Sequence, residues 1–460
     1  MLTEDELSKL INIGLEKGAD FIDIRIEDHI ENSITIRDYI VDEASSTIVT
    51  GAGIRVLYNG GLGFASTNNL SWDNMLKTLE SALKIARLLS GKTNVKLTML
   101  PGRHDIVHSK LEEDPRSISP GQKINDLLKL SREVFSRSEA IKTITTRYKD
   151  ITGRTIYVSS EDRFIEQHYN YTWLYSWVTG RENDVAASAR TELGTRRGYV
   201  IFNKYPQEEI ADTLVKRVLN QLKAITPKGG LYPAILAPEV VGVFAHEAFG
   251  HLAEADLTVS GSILADKLGK KIVSELVTIV DDPTIPDAYG TFKYDDEGVE
   301  TRPVKIVENG VLKELMVDRK FSAMLNMKPT GNARAEDYNV PPLIRMRTTY
   351  IAPRDMSLEE LLEDIKYGYY LVSFRGGQAN LDGTFQVGIQ EAYEIVNGEI
   401  GRPVRNMSIS GNTIDTLKYV SGVGKDFQYF YGRCGKGQTA FVSDGGPHIR
   451  VDKILIGGAK

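Results

Sequence analysis

The chain is poor in the residues that most often announce chemistry, with one cysteine, three tryptophans and seven histidines among 460 residues. A single cysteine, Cys434, excludes an intrachain disulfide, and an isolated thiol fits a reducing compartment. No stretch approaches the ~18 consecutive apolar residues of a membrane span. The opening Met1-Leu2-Thr3-Glu4-Asp5-Glu6-Leu7 has neither the basic segment nor the apolar run of a secretory signal. A soluble, cytoplasmic protein with no membrane attachment is the expectation. An excess of positive charge is also missing, since 56 Lys and Arg face 62 Asp and Glu for a formal net charge of -6. That speaks against a nucleic-acid partner, whose binding face is usually basic.

What remains is an ordinary globular composition, 41% hydrophobic and 26% charged. The length exceeds what one hydrophobic core usually supports, so two or three domains of ~100–200 residues are expected. A capping box at Thr3 and Glu6, followed by Leu7, Leu10, Ile11 and Leu15, predicts a first helix that Gly18 ends. Ile22, Ile24 and Ile26 alternate with charged residues, which predicts a strand. A second strand over 53–58 meets Asn59-Gly60-Gly61 and returns through 62–65 as a hairpin. Helical periodicity predicts long helices from Ser71, over 120–136 and over 207–225, with strands dominating 141–179. Thr226-Pro227-Lys228-Gly229-Gly230 then breaks both periodicities and reads as a linker. Beyond it the chain reads as short strands and tight turns, with Asn309-Gly310 and Asn397-Gly398 as hairpin signals. Helices interrupt this pattern at 238–253 and 357–367, and 258–271 reads as a mobile covering loop. The expected fold is therefore α+β in two domains: an α/β-mixed N-terminal domain over 1–227 and a β-rich domain over 228–460 that carries the site helix.

The informative segment is Val243-Phe244-Ala245-His246-Glu247-Ala248-Phe249-Gly250-His251, on a helix that Pro238 can start. In the familiar zinc helix two histidines four apart share one face, beside a glutamate that polarises water. Here the spacing is five. Five residues of a regular helix turn through ~500°, leaving the two rings about 140° apart. A π-type widening returns positions five apart to one face, so an irregular helix is predicted, with Gly250 easing the backbone. Catalytic zinc usually takes three protein ligands and one open position. Cys434, in Gly432-Arg433-Cys434-Gly435-Lys436-Gly437, is the first candidate for the third, with Arg433 or Lys436 favouring its thiolate. Glu254 and Glu391 are the alternatives. In that arrangement Glu247 takes the proton of an activated water and passes it to the leaving amine. Taken alone, so short a pattern is more often two ordinary helix histidines beside a solvated glutamate.

At these residues the chain resembles the TldD family of the TldD/PmbA metalloprotease group. The resemblance is carried by His246-Glu247 to His251 with Glu254 and Asp256, by Cys434-Gly435-Lys436, and by Gly331-Asn332-Ala333-Arg334, Gly376-Gly377-Gln378 and Ile456-Gly457-Gly458. It implies a two-domain α+β zinc peptidase for unfolded or extended peptides, with Zn2+ on His246, His251 and Cys434 and Glu247 as catalytic residue. It also implies a dimer, either of this chain or with a PmbA-like companion subunit that lacks the zinc motif. Ala335-Glu336-Asp337-Tyr338 and the absence of an acidic residue after Lys436 depart from the family pattern and bear on substrate preference. A different class of answer is a non-catalytic binding or assembly subunit with a structural metal, and a third is hydrolysis of a non-peptide amide.

Other signals carry less. Gly51-Ala52-Gly53 leads into a strand, and Gly422-Val423-Gly424-Lys425 lacks phosphate-loop spacing, so no nucleotide site is expected. His104 and His108 lie in loop-like sequence, Trp173, Tyr175 and Trp177 alternate as a packed strand face, and His168 and His448 have no evident partner.

Overall fold

The computed structural model describes residues 2–458. The helix Glu4–Glu16 starts on the reciprocal capping box of Thr3 and Glu6. Its Leu7, Leu10 and Ile11 bury against Ile22, Ile24 and Ile26 and against Met75 and Leu79 of the helix Trp72–Leu89. The strand begun by the three isoleucines runs on as Phe21–Arg37 and turns at Asp38, whose φ is 55°, into the slightly longer Ile40–Tyr58. Sequence alternation stopped short of this extension for a physical reason: residues 40–48 are exposed on both faces, so no period-two burial marks them.

These strands belong to a seven-stranded sheet ordered Gly61–Thr67, Ile40–Tyr58, Phe21–Arg37, Ile141–Ser159, Arg163–Glu182 and Arg103–Val107, with Val185–Thr195 also paired to Arg163–Glu182. Only Arg103–Val107 joins it in parallel. The helices Pro120–Arg137 and Gln207–Lys223 cover its other half through Leu127, Leu130, Leu214 and Val218.

After residue 229 the chain forms two further large sheets. In one, Gly230–Leu236, Ile449–Gly458, Met407–Asn412, Thr384–Val396 and Tyr367–Ala379 pair in that order, and the last returns to pair with the first. The five strands thus close on themselves, which leaves that ring no open edge. In the other, Val311–Leu312, Val304–Glu308, Ile279–Asp281, Thr348–Ile351, Gln438–Gly446 and Gln428–Lys436 lie side by side. The hairpin turns at Asn309-Gly310 and Asn397-Gly398 place both residues of each pair at positive φ, the geometry such pairs favour. The helix Pro238–Val243 and its continuation lie between ring and sheet, within the largest apolar core.

Two expectations need correction. The helix expected over 357–367 is only Leu358–Leu362, because Asp364 turns the chain at φ 64° and Tyr367 already opens a strand. The segment 258–271 is tied down rather than free: Thr258 and Ser262 both donate to the Leu252 carbonyl, at 2.9 Å each, and Leu264 is buried. The first sheet is joined to the second half by buried charge, with Arg55 paired to Glu297 at 2.5 Å and Arg319 to Glu161 at 2.6 Å. No helix among the described residues is long and apolar enough to cross a membrane.

Candidate metal centre

The helix begun by Pro238 is α-helical to Val243, π-helical over Phe244–Gly250 and 3-10 over His251–Ala253. The widening demanded by the five-residue spacing is thus present, and it brings the His246 and His251 rings to 5.1 Å between centroids. Gly250 has a different role from the one its position suggests. Its φ of -56° and ψ of -49° are ordinary helical values, so backbone freedom is not used. A Cβ there would stand 2.1 Å from Met346 Sδ, so the glycine makes room for a core methionine. Gly242 likewise admits the strand Gln438–Gly446, since a Cβ would stand 2.3 Å from Asp444 Oδ1.

Cys434 lies in the hairpin of Gln428–Lys436 and Gln438–Gly446, directly across from Ala440. Its Sγ is 3.3 Å from His251 Nε2, and one ligand atom from each of His246, His251 and Cys434 falls within 4.8 Å of the others. His246 is 2% exposed, and neither of its ring nitrogens has a hydrogen-bond partner. Buried polar atoms are nearly always bonded. Two imidazoles and a thiolate converging around such an orphaned ring fit a zinc ion, the missing partner that this donor set can hold. Glu247 places its carboxylate 3.9 Å from His251 Nε2 and keeps its side chain 29% exposed, on the open side of the cluster.

Of the other two carboxylates considered for the third position, Glu391 is engaged by Arg217 at 2.8 Å and by Tyr393 at 2.9 Å. Glu254 stands behind the cluster: it is fully buried and lies 2.8 Å from His251 Nδ1. Lys436 reaches the same carboxylate at 3.1 Å and Asp256 at 2.9 Å. A carboxylate on Nδ1 fixes the imidazole so that Nε2 presents a lone pair, the usual support of a metal-binding histidine. The i, i+3 spacing of His251 and Glu254 was the available sequence signal. Arg345 had none. It is 1% exposed and donates to the Cys434 carbonyl at 2.7 Å and the Gln438 carbonyl at 2.5 Å, clamping the hairpin from the link between the strands Leu343–Ile344 and Thr348–Ile351. Asp444 was also not foreseen; burial pushes its carboxyl up to about 7, with His246 opposing and Glu247 adding to the rise.

The electrostatics are those of a thiolate among imidazoles. Burial resists ionisation of Cys434, but His246 and then His251 bring it down to about 4. Burial also disfavours a charged His251, yet Glu254 and Cys434 raise it to about 10. His246 is raised too: burial opposes its charged form, but Cys434 and Glu247 together outweigh that and the repulsion of His251. Arg433 and Lys436 are not what favours the thiolate: Arg433 turns to the other face of its strand, over Trp173 and Phe441, and Lys436 turns to Glu254 and Asp256.

The remaining histidines are accounted for without metal, His29 by the Tyr169 hydroxyl, 3.0 Å from its Nδ1. His104 stacks on Phe164, and His108 packs on His168, which sits 2.7 Å from Glu166. His448 is held between Asp426 at 2.8 Å and the Tyr370 hydroxyl at 2.9 Å. Trp173 is buried with Nε1 donating to Glu192, whereas Trp177 at the same face is 41% exposed.

Against known proteins, the chain matches the models for PmbA/TldA metallopeptidase domain 1 over 22–86, the central domain over 113–222 and the C-terminal domain over 229–458. The first two fall on one continuous sheet. The chain is 44% identical to a protein named zinc metalloprotease TldD homolog from Saccharolobus solfataricus, over 98% of this chain and 99% of that one. It is 36% identical to a metalloprotease of Methanothermobacter thermautotrophicus, over 97% and 98% of the two. The crystal structure of TldE from Thermococcus kodakarensis superposes with a TM-score of 0.80 at 22% identity, over 98% of this chain and 100% of that one, a likeness of fold. Similarity over nearly the full length, on a chain that converges two histidines and a cysteine beside a glutamate, makes this protein a metallopeptidase that belongs to the PmbA/TldD family.

Proposed function

We propose that the chain is a zinc peptidase that hydrolyses unfolded or extended peptides, with His246, His251 and Cys434 as ligands and Glu247 as the catalytic residue. The observation that carries this is the orphaned, buried His246 ring within 4.8 Å of a thiolate and a second imidazole. Zinc bound there supplies Lewis acidity toward a peptide carbonyl and acidifies water. Glu247, on the exposed side of the cluster, accepts the proton of the attacking water and delivers it to the leaving amine nitrogen. Glu254 keeps His251 Nδ1 occupied, so that Nε2 stays directed at the cluster. Pairing with a second copy or with a PmbA-like companion is part of the same proposal, and sedimentation of the purified chain alone and mixed with a companion tests it.

The deciding experiment is elemental mass spectrometry of the wild type beside Cys434→Ala and His251→Ala. About one zinc per chain, sharply reduced in both variants, is the expected result. Retention of zinc in both variants would sink the ligand assignment. Glu247→Gln then separates catalysis from a structural metal: it keeps its zinc and loses about 100- to 10,000-fold in turnover if Glu247 moves the proton.

A further inference from the structure

Between the first sheet and the second half lies a cavity of about 940 Å³, at the upper end of ligand pockets of roughly 300–1,000 Å³. The metal cluster does not line it. Arg433 and Cys434 are consecutive in one strand, so their side chains leave opposite faces, and the cavity lies one strand away from the cluster. Four arginines line it: Arg197 is paired with Glu112 at 2.6 Å, whereas for Arg196, Arg334 and Arg433 no carboxylate among the described residues lies within ion-pair distance.

Their placement is not that of solvated surface charge. Tyr171 and Phe441 stack at 4.8 Å with an interplanar angle of 9°. Arg196 lies over Tyr171 at 5.0 Å and Arg433 over Phe441 at 5.8 Å, so aromatic planes fix the two guanidiniums. Arg334 stacks over Phe292 at 5.2 Å and donates only to the Met346 carbonyl, at 3.1 Å. Arg196 Nε is buried with no partner. The acidic residues of the cavity are differently placed. Glu31 is held by Lys149 at 2.5 Å, Asp287 by Lys204 at 2.6 Å, and Asp296 accepts from the Ala335 backbone at 2.8 Å. With these three acids engaged by the protein, Arg196, Arg334 and Arg433 are left as unpaired forks that match carboxylate geometry.

We propose that this cavity is a docking site for a carboxylate of the peptide substrate, received by Arg196, Arg334 and Arg433. The proposal rests on the peptidase reading above. A polyphosphate carries the same matching oxygens, but Asp296 and Glu300 on the cavity wall repel its several charges more than they repel a single carboxylate. The carboxylate has two sources, an acidic side chain or the peptide C-terminus. Either one, anchored beside Arg433, holds the chain next to the hairpin that carries Cys434.

The test uses the full-length chain with Glu247→Gln, zinc-loaded, so that no probe is cleaved. Octapeptides with a neutral N-terminal dye are titrated by fluorescence anisotropy in three forms: acidic, with Asn and Gln replacing Asp and Glu, and C-terminally amidated. The expected result is a loss of about tenfold in affinity when the carboxylate used is neutralised, the effect of one charge-assisted contact. Which neutralisation costs affinity identifies the source. Arg334→Gln or Arg196→Gln should erase the difference between charged and neutral peptides. Equal affinity for all three peptides overturns the proposal, and that comparison needs no arginine variant to fold. Binding is read without turnover, so absence of cleavage by the wild type counts against the peptidase reading, whereas cleavage without charge preference counts against this site alone.

Discussion

Glu254→Gln is the most informative single change at the centre, because it keeps the volume and removes only the charge. The wild-type carboxylate is fully buried and lies 2.8 Å from His251 Nδ1 and 3.1 Å from Lys436 Nζ. A hydrogen bond to a charged partner contributes about 1.5–3 kcal/mol. At about 1.4 kcal/mol per tenfold, that corresponds to a roughly 10- to 150-fold loss of zinc affinity, in line with the 10- to 100-fold typical of residues that support a metal ligand. Glutamine also offers an amide N–H toward Nδ1, which favours the tautomer whose Nε2 carries the proton. The assay is competition for zinc against a chromophoric chelator at fixed pH, with circular dichroism to verify the fold. Lys436→Met should lose less, since it acts on His251 only through Glu254. A folded Glu254→Gln whose zinc Kd stays within about twofold of wild type would refute the positioning role.

Proton linkage gives a second expectation. His251, raised to about 10, is protonated at neutral pH, so zinc must displace its proton. Binding should therefore release about one proton and tighten as pH rises, which calorimetry in buffers of different ionisation enthalpy reads directly. In the metal-free protein the raised His251, from 6.5 to about 10, stabilises fully below 6.5 and loses that contribution as pH rises through 10. The lowered Cys434, from 9.0 to about 4, stabilises fully above 9.0 and loses that contribution as pH falls through 4. Urea unfolding of chelator-treated protein should show a contribution that is level between 6.5 and 9.0 and falls on both sides; a steady rise across that window would contradict the pairing. Gly250→Ala meets Met346 Sδ at 2.1 Å and should cost about 1–3 kcal/mol as overpacking, with unchanged stability counting against a tight core there. Arg345→Met removes both carbonyl contacts to the Cys434 hairpin; about 3 kcal/mol of stability and some zinc affinity should go with them, and wild-type zinc affinity would show the clamp to be dispensable.

Local features were legible where a side chain or backbone need is met by near neighbours. Thr3 and Glu6 cap each other across three residues, and Asn309-Gly310 and Asn397-Gly398 supply their own positive φ. The π-helix was legible for the same reason, because a five-residue histidine spacing has few geometric solutions. The turn at Asp38 was not, since Asp38-Tyr39 carries no glycine and the exposed strand after it has no burial period. Arg345 escaped because its partners lie 89 and 93 residues away. Strand order and the closed ring depend on such distant pairings, and no local pattern encodes them. Gly250 was noticed for the wrong property, since a sequence displays a glycine's freedom but not the sulfur that needs its space.

The chain's one thiol is also its one point of thiol oxidation. Cys434 is held as a thiolate, with its pKa near 4, and is 4% exposed. If it is oxidised to the sulfenic acid, no second cysteine exists in the chain to trap it as a disulfide, and the next steps toward sulfinic and sulfonic acid are irreversible. Shielding by burial and by a coordinated ion therefore decides how long the site survives in an oxidising environment. The same solitude is useful at the bench: alkylation of this protein reports on a single atom, so the rate of labelling is a direct gauge of how much of the sample carries its metal.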